Sequence, residues 1–212
     1  ALRDTLADIH IGQAEKAIES RLIQAMFQHG AEALSFGPIV AAGDNSAQPH
    51  AQARSDYTIR SGDTLLFDFG ARADGLCADI TRTFFIGSCS DTQRAVYETV
   101  LAANQAGHAA TRPGATAADI DDAATRVLEE SPWQAFIRHK TGHGLGRDVH
   151  EDPYIMRGND ELLATGMVIT IEPGLYRVGD FGVRIEDDVI VTEDGVESLT
   201  TFDKSLQIIA NR

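Results

Sequence analysis

Between Gln13 and His29 the apolar residues Ala14, Ile18, Leu22, Ala25 and Met26 recur every three or four positions, and Gly30 follows directly. That spacing predicts an amphipathic helix ended by glycine. The same period predicts a second helix from about Asp91 to His108. It predicts a third from Thr116 to Glu130, with Ile120, Ala124, Val127 and Leu128 on one face behind Pro113-Gly114. Short apolar and β-branched runs predict strands at Thr64–Phe69, Ala78–Phe85, Met167–Ile171 and Gly182–Val191. The order repeats, because Ile11-Gly12 opens one helix as Pro113-Gly114 opens another, and each is followed by an irregular stretch and two strands. Two related halves are therefore expected. The long helix before Gly114 has only Ala1–His10 as its counterpart before Gly12, so the chain is expected to start inside its first helix.

Composition narrows the classes of function. The 212 residues are 43% hydrophobic and 24% charged, enough for a real core in one large domain or two small ones. A net charge of −14 repels phosphate backbones and anionic lipid, which argues against nucleic-acid and membrane partners. No apolar run reaches the roughly 18 to 20 residues that span a bilayer, and Ala1–His10 lacks the pattern of a signal peptide. Only Cys77 and Cys89 occur, which fits a reduced, cytoplasmic setting, while the start at Ala1 leaves a processed precursor open.

The candidate chemistry lies in the strands. Asp68 and Asp79 flank the turn signal Ala73-Asp74-Gly75. Pairing about that turn would set the two carboxylates opposite each other on one face. Glu172 and Glu186 flank Gly179-Asp180 in the same way. Each facing pair repels by roughly 3 kcal/mol at about 5 Å and an effective dielectric near 20. Arg184, two residues before Glu186, is the one candidate counter-charge from protein, and it cannot balance four carboxylates. Two divalent cations can. Oxygen donors suit Mn²⁺, Mg²⁺ or Co²⁺, and one imidazole widens the choice to Zn²⁺ or Fe²⁺. That imidazole is expected from His143, in Thr141-Gly142-His143-Gly144-Leu145-Gly146, where glycines allow close backbone approach and unusual φ values. His139 and His150 lie near it in sequence. Taken singly, Asp68 or Asp79 reads as a cap, His143 as a loop residue, His50 as a surface histidine and Arg184 as an ordinary ion-pair partner. Together, the pairs Asp68–Asp79 and Glu172–Glu186 and the glycine-flanked His143 supply five ligands of the right type.

Leu66-Phe67-Asp68-Phe69-Gly70, Ala78-Asp79-Ile80-Thr81-Arg82-Thr83, Thr141–Gly146, Ile171-Glu172-Pro173-Gly174 and Val183-Arg184-Ile185-Glu186-Asp187 resemble, in order, the metal-ligand motifs of the pita-bread metallopeptidases. The likeness is to the Xaa-Pro branch, aminopeptidase P and prolidase. It implies an α+β, pseudo-symmetric pita-bread (creatinase/aminopeptidase) fold, a curved antiparallel sheet covered by helices. It assigns Asp68 to one metal, Asp79 and Glu186 as bridges, and His143 and Glu172 to the other metal, with manganese the first choice. It further implies that His50, His139, His150 and Arg184 line the substrate site. Glu172 would act as proton shuttle, with His150 and His139 at the scissile carbonyl. The expected reaction is hydrolysis of small peptides between a first residue and proline, by a homodimer. Residues 1–212 would form the catalytic domain, with a further N-terminal domain and the start of the first helix preceding it in the whole protein. A methionine aminopeptidase, or an inactive binding module of the same fold, are the alternatives.

Overall fold

Each long helix begins where the sequence offers backbone capping. In the computed structural model, which describes residues 1–209, α1 spans Leu2–Ala7, α2 Glu15–Gln28, α3 Asp91–Ala110 and α4 Ala117–Glu129. Ser90 and Thr116 each close a capping box with the third helical residue, Gln93 or Asp119. This satisfies N–H groups that a helix start otherwise leaves without partners. Ala14, which precedes α2, has no such side chain. Its loop is fixed by backbone bonds instead, and α4 repeats them. Gly12 N–H donates to Ile59 O and Ile59 N–H to Gln13 O; Gly114 N–H donates to Leu163 O and Leu163 N–H to Ala115 O, all at 2.8 to 3.0 Å. Both glycines have positive φ, 92° and 79°, open to glycine at little cost. The internal duplication is thus visible in the hydrogen bonds themselves.

Two sheets carry the same arrangement. One has four strands in the order Ile208–Ile209, Ile80–Ile86, Thr64–Phe69, Ile39–Ala42. The other has five, in the order Val196–Ser198, Asp187–Val191, Val168–Ile171, Gly142–Gly144, Glu151–Ile155. Pairing is antiparallel except between Ile208–Ile209 and Ile80–Ile86. Alternation then divides each strand. Leu65 and Phe67 pack with Ile18, Leu22 and Met26 of α2, while Asp68 points to the opposite face. Ile169 and Ile171 pack with Ile120 of α4, which leaves Thr170 and Glu172 opposite. Each fully buried aliphatic or aromatic side chain contributes about 1.5 to 3 kcal/mol of burial. One face of each sheet is therefore committed to helices, and the other is free for chemistry.

The predicted helices and strands are found within a few residues, with three differences. Leu2–Ala7 is helical in its own right. The strand expected at Ala78–Phe85 divides into Leu76–Cys77 and Ile80–Ile86, leaving Ala78-Asp79 between them. The strand expected at Gly182–Val191 is also broken, because Phe181–Arg184 pairs with Gly174–Arg177 whereas Asp187–Val191 pairs with Val168–Ile171. Ile185-Glu186 lies where the chain passes from one sheet to the other.

Candidate metal centre

A two-residue turn sets the first pair of carboxylates. Asp74 and Gly75, at φ 51° and 76°, link the paired residues Ala73 and Leu76. Two successive positive φ values match the right-handed twist of a hairpin. Carried down the strands, this register sets Asp68 opposite Thr81, not opposite Asp79 as expected. The turn is centred one residue later than the expected pairing requires, which moves the partner by two. Asp79 is diagonal to Asp68 on the same face, still within reach. Gly70 permits the close passage, since a Cβ there would stand 1.6 Å from Ala78 O. The second pair follows the expected register: Gly174 opposite Arg184 and Ile171 opposite Asp187 bracket Glu172 and Glu186.

His143 sits in the short strand Gly142–Gly144. A Cβ on Gly142 would meet Thr170 O at 2.0 Å and one on Gly144 would meet Asp152 O at 2.3 Å. The flanking glycines therefore serve close approach. The unusual φ values expected for them are not found, as neither they nor Gly146 has a positive φ. The His143 Nδ1–H donates to Gly144 O at 3.0 Å, which leaves the Nε2 lone pair facing the carboxylates.

All the candidate residues line one cavity of about 460 Å³. Ligand atoms of Asp79, His143 and Glu186, all buried, lie within 4.8 Å of one another. His143 Nε2 is 3.3 Å from Glu172 Oε1 and 3.8 Å from Asp79 Oδ2. Asp68 stands beside this group, held by Arg184 Nη2. Thr81 Oγ1–H donates to Glu186 Oε2 at 2.6 Å and accepts from Arg184 Nε at 3.0 Å.

Charge is uncompensated here. Burial, then Glu186 and Asp68, push the Asp79 carboxyl well above the usual carboxylate range. Burial, then Glu172 and Asp68, do the same to Glu186. Burial also raises Asp68, against the pull of Arg184. For Glu172 burial is outweighed by His143, His139 and Arg184, which hold it below its ordinary value. Among the described residues Asp68 Oδ1 and Asp79 Oδ1 are buried without a hydrogen-bond partner, a cost of about 1 to 3 kcal/mol each. Four carboxylates, two orphaned oxygens and an imidazole with its lone pair directed inward form a donor set that fits divalent cations.

The substrate-side candidates are placed less uniformly. His150 packs on His143 with ring centroids 4.3 Å apart, and burial followed by His143 lowers its pKa. His50 is exposed at the rim. Its loop is fastened by the buried Glu15, which accepts from Ala42 N–H, Asn45 Nδ2 and Arg54. His139 has both nitrogens engaged: Nδ1–H donates to Lys140 O at 2.7 Å and Nε2 accepts from Tyr176 Oη at 2.7 Å. His139 thus lines the cavity with both ring nitrogens engaged within the protein. Tyr176 also accepts from Arg184 Nη1 at 2.6 Å, and burial pushes its pKa up to about 12. Sequence reasoning missed this tyrosine. The signal was its phase, since Gly174 and Tyr176 share one face of the strand Gly174–Arg177 that follows Glu172, and Gly174 and Gly182 leave room for the ring.

A duplicated α+β fold that aims a carboxylate-rich cage into one cavity is a metallopeptidase architecture. The chain belongs to metallopeptidase family M24, whose family model matches residues 1–193. It is 40% identical over 205 residues to the Xaa-Pro dipeptidase of Lactobacillus helveticus, a match covering 96% of this chain and 55% of that protein. The crystal structure of X-Pro aminopeptidase from Thermotoga maritima MSB8 matches with TM-score 0.94 at 40% identity, over 98% of this chain and 58% of that one. The prolidase from Pyrococcus horikoshii OT3 matches with TM-score 0.93 at 36% identity, over 97% and 59%. The chain therefore spans a little over half the length of these relatives. The likeness bears out the pita-bread fold expected from the motifs. Among the described residues no helix is long and apolar enough to cross a membrane.

Proposed function

We propose that this chain is the catalytic part of a dinuclear, manganese-preferring peptidase that hydrolyses the bond between an N-terminal residue and a following proline. The observation that carries the reading is the convergence of Asp68, Asp79, His143, Glu172 and Glu186 on one cavity in a family M24 chain, supported by relatives named Xaa-Pro dipeptidase and X-Pro aminopeptidase. These five residues would hold two divalent ions. When bound, such ions supply a nucleophilic hydroxide near neutral pH and polarise the scissile carbonyl.

The protein's own groups do the rest. Glu172, kept ionised by His143, His139 and Arg184, accepts a proton from the attacking water and returns it to the departing proline nitrogen. His150 donates to the carbonyl oxygen as negative charge builds on it. Tyr176 and Lys140 O occupy His139, which acts here by orienting the tyrosine. Arg184, tied to Asp68, Thr81 and Tyr176, orients a ligand carboxylate, and His50 meets the substrate at the rim. The free cysteines Cys77 and Cys89 agree with a cytoplasmic location, and the homodimer follows from the motif resemblance.

Hydrolysis of Ala-Pro and Met-Ala peptides by the Mn²⁺-loaded protein tests the reading. Preference for Ala-Pro is expected. Preference for Met-Ala would make it a methionine aminopeptidase, and no turnover of either, with no bound metal, would favour a binding module.

A further inference from the structure

Behind the cage lies a second buried charge cluster that the proposed reaction does not use. Arg82, 1% exposed, donates from Nη1 to Glu186 O at 2.6 Å and Thr81 O at 2.9 Å. Its Nη2 donates to Asp187 Oδ1 at 2.6 Å and Phe202 O at 2.8 Å. Lys204 Nζ reaches Asp187 Oδ2 at 2.6 Å and Asn104 Oδ1 at 2.7 Å. Asn104, fully buried on α3, donates from Nδ2 to Ile171 O at 2.9 Å and Ile185 O at 3.4 Å. Those are the carbonyls immediately before Glu172 and Glu186. The same C-terminal stretch reaches the other half of the cage, where Leu199 N–H donates to Asp188 O and Asp188 N–H to Thr200 Oγ1. Asp188 Oδ2 in turn accepts from Asp79 N–H at 3.0 Å. Residues 199–204 also lie beyond the stretch matched by the family model.

We propose that the strap Leu199–Lys204, acting through Lys204, Asn104 and Arg82, is a positioning device that fixes the backbone under Glu172 and Glu186 and so sets the affinity of the metal centre. The device rests on the metal-centre reading above. Glu186 joins two sheets at a point with no strand pairing of its own. Its backbone carbonyl is held by Arg82, and its side chain by Thr81 Oγ1. Slack in the strap would pass directly to the ligand carboxylates, and groups that orient metal ligands typically affect affinity or activity by about tenfold to a hundredfold.

Lys204 is partly exposed, so Lys204→Met leaves the core largely intact, and Lys204→Arg retains the charge. Mn²⁺ titration calorimetry on metal-free protein and the absorption spectrum of the Co²⁺-loaded form are the readouts, with kcat and KM for Ala-Pro beside them. Lys204→Met is expected to weaken Mn²⁺ binding at least about tenfold, alter the Co²⁺ bands and lower kcat more than it raises KM, with Lys204→Arg recovering most of the loss. A folded Lys204→Met protein with wild-type Mn²⁺ affinity and Co²⁺ spectrum would overturn the proposal while leaving the metal centre standing. Failure of the wild type itself to bind Mn²⁺ would overturn both. Arg82→Lys, compared at equal melting temperature, provides the second variant, and unchanged metal affinity there would count against the device in the same way.

Discussion

Glu186 and Asp187 are chain neighbours, both almost wholly buried, and their carboxylates meet opposite environments. Asp187 is ringed by hydrogen-bond partners, two of them cations: Arg82 at 2.6 Å and Lys204 at 2.6 Å, with the His108 ring at 3.0 Å. Against burial, these partners hold its carboxyl below the usual carboxylate range. Glu186 faces carboxylates instead, and its pKa is pushed up. Adjacent side chains project to opposite sides of the extended chain, which separates the two. Thr81 and Arg82 divide in the same manner on the facing strand, Thr81 toward the cage and Arg82 toward Asp187. Buried charge that finds its counter-charge within the chain acts as a strut. Buried charge left unmatched, with oxygens lacking any partner, is a place prepared for something the chain does not itself provide.

Four experiments press on this contrast. Asp79→Asn removes an unmatched charge, so peptide turnover should fall by at least about a thousandfold while the fold persists. Thermal melts of the metal-free variant should show equal or higher stability, because one repulsive pair is relieved. Asp187→Ala should do the reverse, leaving the buried Arg82 without its anion and Lys204 without its partner, and costing about 3 kcal/mol in a denaturant titration. Equal destabilisation by both variants would erase the distinction. His150→Ala is expected to reduce kcat by about a hundredfold with bound metal unchanged by elemental analysis; loss of metal would make His150 a ligand.

The smallest effect is in pH. Asp79 and Glu186 hold protons more tightly folded than unfolded, so they favour the metal-free fold at acid pH, and that contribution is lost as pH rises through their folded values. Asp187 has the opposite sign: its contribution is complete above the ordinary carboxylate range and is lost only as pH falls below it. The melting temperature of metal-free protein should therefore decline as pH rises above the ordinary carboxylate range, with a shallower decline in Asp79→Asn. A rising curve would contradict the assignment of unmatched charge to the cage.

Much of the cage was legible because its signals are local. Period-2 alternation and two turn signals placed both carboxylate pairs on shared faces, and the glycines around His143 marked a crowded strand. The pairing of Asp68 with Thr81 was misread because one residue in the centre of a turn moves every partner by two. The strut was invisible for a different reason. Arg82, Asn104, Asp187 and Lys204 come from separate segments, and each alone is an ordinary polar residue with no period or spacing to connect it to the others. His139 entered the substrate site through the motif resemblance, and no local signal pointed to its hydrogen bond with Tyr176, on a strand far along the chain.

Anomalous diffraction from crystals of the protein grown with Mn²⁺ tests the central claim most directly. Two manganese peaks enclosed by Asp68, Asp79, His143, Glu172 and Glu186 are predicted. Manganese found only on surface carboxylates, with the five side chains still gathered and no metal among them, would contradict the account.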